Sequence, residues 1–519
     1  MVHASGSDES SDVALSDNYE GMYGSSAGLV RYNMGKFYWV KQIWAWLHKQ
    51  PGLLAVVVIG IIYCTYLPST TYVGLYHDSR GYWDFAEKYF ETGRFEFLSY
   101  FNIQRGYLFP LLLSPFTQLV VEAKMLPLEM TRYLGAATAA LVFGWAGPAL
   151  WQAVKGGPAV SLGRRLLFAG LGFVLWRDYF NFSLTDFPAL FALAASLIAL
   201  LRGRGVVSAV LAGVAVAAAT NMRPIYQVAL PAVGLLALVP PLGRAQWWGL
   251  VRGGALVLGA AAVLLPQAYT NSIHVNVRSP WVLTTMPGQP SLFLQQLEWG
   301  LRTQKYETAV GSDYMQAGMY FMDERGKAMW EATGLTEFST ASQYVQLCLG
   351  RPWRSMGVWQ RHLFNALDVQ YPTPYIQEVF VPTWPLAWLN YSLIFGGLLT
   401  LLLRPWQRPR ASWVRPALVL LALLLPCLLA LLTAIECRFL LPLHLLLSAA
   451  VAFGATPLRW WRAASARARG LVVAGYVATV VSGFSASASA QKHLYKAPRD
   501  IWHTLPLHEL LPAEEAQPW

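Results

Sequence analysis

Residues 416–457 read PALVLLALLLPCLLALLTAIECRFLLPLHLLLSAAVAFGATP, and their only formal charges are Glu436 and Arg438. About 20 apolar residues suffice to cross a bilayer. The stretch therefore holds two crossings, 416–434 and 439–457, turned around at Glu436-Cys437-Arg438. Comparable runs occupy 52–69, 132–151, a short 166–176, 186–201, 206–220, 225–241, 250–267, 387–403 and 470–487. The 519-residue chain is 55% hydrophobic and 13% charged, whereas a soluble domain carries roughly a quarter charged residues. The expected fold is an all-α polytopic membrane protein, with about eleven transmembrane helices.

The net charge of +11 does not point to nucleic acid. The basic residues lie between apolar runs and form no stripe or interleaved aromatic patch. Their placement tests the spans instead, because cytoplasmic loops carry the excess of Lys and Arg. With the N-terminus inside, Lys36, Lys41 and Lys49 precede the first helix. The inner loops then hold Lys155, Arg164 and Arg165; Arg202 and Arg204; Arg244 and Arg252; Arg404, Arg408, Arg410 and Arg415; and Arg459, Arg462, Arg467 and Arg469. The short outer turns hold only Arg177, Arg223 and Arg438. The expected topology is N-terminus cytoplasmic and C-terminus outside, in a multi-pass protein of a bacterial inner (plasma) membrane. Residues 1–28 are Ser/Asp/Gly-rich and read as a disordered cytoplasmic tail. They lack the basic start and cleavage site of a signal peptide, so the first helix is expected to remain as an anchor.

The reading divides the chain into an N-terminal bundle over 29–269, a large outer loop over 270–386, helices over 387–487 and an outer tail over 488–519. Within the bundle, a first outer loop runs over 68–130. Both loops are too long to be mere connections, and long loops over a scaffold are where binding and catalysis concentrate. The large loop carries helical patterns at Asp313–Trp330 and Gln343–Leu367, with hinge clusters at Pro280, Pro287-Gly288, Pro290, Pro372 and Pro374. It is expected to be helical and partly mobile. Cys64, Cys348, Cys427 and Cys437 show no metal-ligand spacing and no disulfide framework.

The first outer loop opens Tyr76-His77-Asp78-Ser79-Arg80-Gly81-Tyr82-Trp83. Tyr82, Phe85, Ala86, Tyr89 and Phe90 follow at helical spacing and make an amphipathic surface helix ending near Gly93. Asp78 stands where that helix begins. A cap role alone is an incomplete account, since Gly81 occupies the position where a capping box needs Glu or Gln. Further on come Gln104-Arg105-Gly106-Tyr107-Leu108-Phe109-Pro110, then Leu184-Thr185-Asp186-Phe187-Pro188, Asn221-Met222-Arg223-Pro224 and Glu436-Cys437-Arg438-Phe439.

In this order, over roughly 50–460, these segments resemble the GT-C superfamily of membrane glycosyltransferases, specifically its protein-mannosyltransferase and aminoarabinose-transferase-like branch. The resemblance implies a GT-C-like bundle and a polyprenyl-phosphate-linked sugar donor. The acceptor is a lipid, glycan or protein on the outer side, and transfer proceeds with inversion. It implies Asp78 as catalytic base, with Arg105, Tyr82, Asp186, Arg223, Glu436 and Arg438 binding substrate. The chemistry suits these types: a carboxylate takes the acceptor's proton, and guanidinium forks steady a departing phosphate. Ordinary pairing is the competing account, with Glu436 neutralising Arg438, Asp186 meeting Arg177, or Asp186 acting only as a cap. Tyr82 and Trp83 are candidates for a sugar-stacking wall. Ser79 follows Asp78 where relatives commonly carry a second acidic residue, so a divalent metal is not indicated and no cofactor is expected. His77 is a candidate for a proton relay, and His444 reads as a satisfied bundle histidine.

Two other functions compete. A transporter or lipid flippase predicts ionisable residues near the midplane, where the runs are nearly bare. A glycan polymerase or ligase acting on lipid-linked oligosaccharide would draw on Arg351, Arg354, Arg361 and His362 of the large loop. The Asp-led surface helix argues against it.

Overall fold

The computed structural model describes residues 50–156, 158–241, 243–285, 291–311, 318–403 and 413–495. The acidic tail, Lys36, Lys41, Lys49, Pro287-Gly288, Pro290, Arg404, Arg408, Arg410 and the end of the C-terminal tail lie outside the described residues. The chain clusters into residues 1–51 and 52–519, and the second of these units holds the helix bundle.

The described chain is dominated by helices. In order these are α1 (Pro51–Tyr66), α2 (His77–Glu87), α3 (Leu108–Ala123), α4 (Pro127–Lys155), α5 (Leu162–Trp176), α6 (Asp186–Arg202), α7 (Val206–Met222), α8 (Leu230–Leu238) and α9 (Trp247–Val275). The large loop contains α10 (Leu292–Arg302), strands β1 (Thr303–Thr308) and β2 (Gly318–Met322), α11 (Glu324–Glu331), α12 (Ala341–Gly350) and α13 (Pro352–Leu367). The bundle then closes with α14 (Trp384–Leu403), α15 (Val414–Ala430), α16 (Cys437–Gly454) and α17 (Ala466–Tyr495).

Among the described residues, six helices are long and apolar enough to cross a membrane: Pro51–Ser69, Pro127–Lys155, Trp247–Val275, Trp384–Leu403, Cys437–Gly454 and Ala466–Leu494. Shorter apolar helices are Leu108–Ala123, Val206–Met222, Pro224–Leu238 and Val414–Ala430. Every apolar run read from the sequence coincides with a helix. The first outer loop contains one more, α3, which packs under α2.

Small residues set the closest helix contacts. A Cβ added at Gly213 of α7 would strike the Leu256 carbonyl of α9, and one at Gly259 of α9 would strike the Val210 carbonyl of α7. Lipid tails give no hydrophobic drive between helices, so this backbone approach supplies the packing that holds the pair. The last helix, α17, lies along α14, where Tyr391 meets Phe484 at 5.6 Å between ring centroids and Gly483 seats against the Tyr391 ring.

Two expectations about the large loop need correction. Asp313–Trp330 is not one helix: β2 pairs antiparallel with β1, Tyr306 opposite Tyr320, and helix resumes only at Glu324. Residues 312–317 lie outside the described part. Gln343–Leu367 is broken at Arg351-Pro352 into α12 and α13, because proline lacks the N–H and disfavours helix in the residue before it. Pro372 and Pro374 fall in the turn that follows α13, and the Pro372 carbonyl accepts a hydrogen bond from the Asp178 amide at 3.0 Å.

Candidate active site

The seven residues singled out in the sequence come together at one end of the bundle. Asp78 lies in the first turn of α2, where Tyr76 is the N-cap residue and makes no side-chain cap. The Asp78 carboxylate instead accepts from Arg105 at 2.8 Å and faces Arg438 at 3.6 Å. Arg438 also faces Asp186 at 3.7 Å and pairs with Glu436. Arg223 pairs with Asp186. The Arg105 guanidinium lies 5.5 Å over the Tyr82 ring, while Arg223 and Arg438 lie 5.1 Å and 5.7 Å from the Phe439 ring.

The three carboxylates and three guanidiniums form a graded cluster. The Asp78 side chain is 36% exposed, and that of Asp186 only 2%. Asp78 and Arg105 thus form the mouth and Asp186 the floor. Asp186 is the first residue of α6 and its side chain is spent on the two arginines, so it is not a helix cap. The suggested Asp186–Arg177 pair does not form; Arg177 lies beside Asp178 and Tyr66, because the short turn at Arg177–Asn181 keeps it near α1. The Glu436–Arg438 pair does form, but Arg438 reaches two further carboxylates as well.

Local structure explains how the cluster is held. His77 has φ 43°, a left-handed conformation costly for a residue with a Cβ, immediately before Asp78. Ser79 is fully buried and locked to Ser183: its Oγ accepts from the Ser183 amide at 3.0 Å, and its carbonyl from the Ser183 hydroxyl at 2.8 Å. The Tyr375 hydroxyl accepts from the Ser79 amide at 3.3 Å, and the Tyr375 ring lies 5.6 Å from His77. On the Arg105 side, the Asn102 carboxamide accepts from the Gln104 and Arg105 amides, both at 2.9 Å. Asn221 then accepts from the Leu108 amide at 2.9 Å, and a Cβ at Gly106 would collide with it. Asn221 therefore anchors the Arg105 loop, two residues from Arg223.

The field around Asp78 follows from these contacts. Burial pushes its carboxyl up, but Arg105, Arg438, Arg223 and His77 outweigh that and hold it below the usual carboxylate range. Burial draws the His77 imidazole below its ordinary value, against the opposing pull of Asp78.

Sequence reasoning missed a second layer behind Glu436. Strand β1 buries Lys305 between Glu307 at 3.1 Å and Asp368 at 3.8 Å. Asp368 accepts further bonds from Tyr391, Gln370 and Ser487, the last on α17. Tyr306 of the same strand faces Glu436, and its amide donates to the Ile435 carbonyl at 3.2 Å. Burial and the neighbouring Glu436 raise the Glu307 carboxyl, while Lys305 pulls it down. The signal available was the alternation of charge in Lys305-Tyr306-Glu307, which has no apolar period to announce a strand.

The large-loop cations are occupied by their own fold. Arg361 pairs with Asp323 at 2.6 Å, Arg351 donates to the Met329 carbonyl at 2.7 Å, and His362 bridges the Leu431 and Thr303 carbonyls. Arg354 is exposed on α13. His444 is buried in α16 between Asn390 at 2.8 Å and Trp176 at 3.3 Å, a satisfied bundle histidine. Among the described residues, no group of three or more His, Cys, Asp and Glu side chains is placed to hold a metal ion. Compared with family models, with curated proteins and with solved structures, the chain matches none of them.

Proposed function

We propose that this chain is a GT-C-type membrane glycosyltransferase. It moves a sugar from a polyprenyl-phosphate donor to a lipid, glycan or protein acceptor outside the membrane, with inversion. In this reading some eleven helices cross the bilayer, with the N-terminus inside and the ion-pair cluster at the outer surface. One observation carries the proposal. Segments far apart in the chain, which in sequence order resemble short motifs of that superfamily, bring their charged residues to a single point around Asp78.

The geometry suits the chemistry. A lipid-linked donor keeps its tail in the bilayer and presents its phosphate at the interface, where Arg105, Arg223 and Arg438 stand. Phosphate competes with carboxylate for a guanidinium fork. As donor phosphate draws Arg105 and Arg438 away, Asp78 loses the charges that depress its pKa. Its basicity then rises when an acceptor hydroxyl needs a proton acceptor. The proton passes to Asp78, the acceptor oxygen bonds to the anomeric carbon, and the polyprenyl phosphate leaves with its negative charge held by the arginines. The Tyr82 ring is buried under the Arg105 guanidinium, and it turns an apolar face to the sugar only as donor phosphate draws Arg105 away.

The alternatives find less support. The loop cations that a polymerase would use are mostly committed to the loop's own contacts. The ionisable cluster sits at helix ends rather than along a midplane path. The test is transfer from a panel of radiolabelled polyprenyl-phosphate sugars in membranes, comparing the parent with Asp78→Asn. Loss of transfer at normal abundance of the variant supports the reading. Unchanged transfer removes Asp78 from the chemistry.

A further inference from the structure

Within the large loop, α12 folds back along α13 as a helical hairpin. The Trp359 indole donates to the Tyr344 hydroxyl at 3.0 Å, and Cys348 lies beside Ser355. The break at Arg351-Pro352 is the tip of the hairpin. Its inner faces close over Leu297, Leu301 and Met329. Its outer faces are apolar. Val345 and Leu349 stand one turn apart on α12, and Trp353, Met356, Gln360 and Leu363 follow at helical spacing along α13, all exposed. At the tip, Trp353 is 79% exposed and Leu349 74%. A helix standing in water turns polar residues outward, and here Gln360 alone interrupts the apolar row. The foot of the hairpin lies beside a helix long and apolar enough to cross a membrane. Asn390 of α14 donates to the Leu367 carbonyl at 2.7 Å, and the Tyr391 ring stands 6.4 Å from Phe364. These contacts fall roughly 10 Å along the Trp384–Leu403 span at 1.5 Å per residue. Trp384 and Trp388, exposed in the first turns of that span, are of the type that settles at a membrane–water boundary. The apolar row therefore begins, at Leu363, near the level of that boundary.

We propose that the hairpin is a membrane anchor. Trp353, Leu349, Val345 and Met356 enter the headgroup region of the bilayer that the bundle crosses, and Arg354 lies among the lipid phosphates. Charge agrees with that occupant. Residues 338–367 contain Arg351, Arg354 and Arg361 and no Asp or Glu. Arg361 is taken by Asp323 and Arg351 by the Met329 carbonyl, while Arg354 is exposed directly after Trp353. On the adjoining α11, Glu331 is paired with Lys327 at 3.8 Å. A long basic side chain lays its stem on apolar surface and holds its head at phosphate level. A partner protein also favours Trp and Arg, but the bilayer is the partner that meets a row starting beside Trp388. The anchor has a route to the ion-pair cluster. His362 of α13 holds the Thr303 carbonyl at the start of β1, and the Tyr306 amide of β1 donates to Ile435, next to Glu436. The inference does not rest on the transfer reaction.

The experiment uses the full-length protein with Cys64→Ser, since Cys348, Cys427 and Cys437 are buried, and a nitroxide label on Leu349→Cys. The protein is placed in nanodiscs of phosphatidylcholine, with and without phosphatidylglycerol. Electron paramagnetic resonance compares the label's collisions with oxygen, which concentrates in lipid, and with a water-soluble nickel chelate. Oxygen collisions should exceed nickel collisions severalfold. Adding Trp353→Glu should reverse the ratio by lifting the tip into water; the residue is exposed, so the core is untouched. Phosphatidylglycerol should seat the label deeper than phosphatidylcholine alone, and Arg354→Gln should remove that gain. A label open to nickel in the parent overturns the proposal. So does a label shielded from both reagents, the mark of a second protein copy, or a ratio that Trp353→Glu leaves unchanged.

Discussion

The two ends of the helix bundle use arginine in opposite ways. At the Asp78 end, Arg105, Arg223 and Arg438 meet carboxylates. At the other end the partners are backbone carbonyls. Arg165 donates to Gly144, Arg202 to Ala149, Arg252 to Leu200 and Arg415 to Pro240, at 2.6–3.1 Å. Two of those carbonyls, Leu200 and Pro240, belong to the last turn of a helix or the residues just past it, where acceptors lack intrahelical donors and a cation complements the helix dipole. Such an arginine satisfies the backbone and keeps its positive charge. The carboxylate pairs cancel their charge and can be exchanged for another anion. One end thus holds helices together through their backbone, and the other holds pairs that the proposed donor phosphate would exchange.

The largest expected effect breaks that comparison at its centre. Asp78→Asn should lower transfer by about a hundredfold or more, the range for loss of a general base, with helix content unchanged by circular dichroism. Next comes a matched pair of variants. Arg438→Met leaves Asp186 and Glu436 without their shared cation and should cost about 3–5 kcal/mol. Arg252→Met strands only carbonyls and should cost about 1–3 kcal/mol. Melting in detergent ranks the two, and equal losses would erase the distinction between the ends.

A pH series sharpens the comparison further. The folded Asp78 carboxyl is depressed, so its stabilising contribution is complete above the unfolded value, about 3.9. It is lost as pH falls through the lower folded value. The melting temperature of the parent should therefore decline in acid more steeply than that of Asp78→Asn; parallel curves would show that Asp78 is not held by its arginines. The smallest effect belongs to Tyr82→Leu, which removes the ring beside Arg105. It should raise KM for the donor about two- to fivefold, the worth of a cation–π contact of about 0.5–1 kcal/mol, while Tyr82→Phe leaves KM nearly unchanged.

Much of this was legible in the sequence, for identifiable reasons. Apolar runs announce helices because the bilayer leaves the backbone no other partner. Asp186, Arg223, Glu436 and Arg438 stood out because they open or follow such runs, whereas Asp78 stood out at the start of its surface helix and Arg105 through the resemblance. The large loop was harder. Asp313–Trp330 has helical spacing, yet part of it pairs as a strand with Thr303–Thr308, a choice made by the tertiary partner rather than by local preference. Lys305 and Asp368 are far apart in sequence and meet only when α13 folds back on β1. Ser79, noted only as a missing acid, turned out to be the residue that ties α2 to Ser183.

The spread of the cluster along the chain has a consequence for how the protein is made. A ribosome supplies Asp78, Arg105, Asp186 and Arg223 long before Arg438. Asp368 gains Ser487 later in the chain still. A nascent chain that stalls before Glu436 keeps Asp186 with one guanidinium in place of two, and Asp78 with Arg105 alone. The carboxylates that serve the finished protein therefore mark the unfinished one. The net charge at this one point is already balanced before Glu436 and Arg438 are inserted; what they complete is the linkage, since Arg438 alone of the three arginines reaches Asp78, Asp186 and Glu436 together.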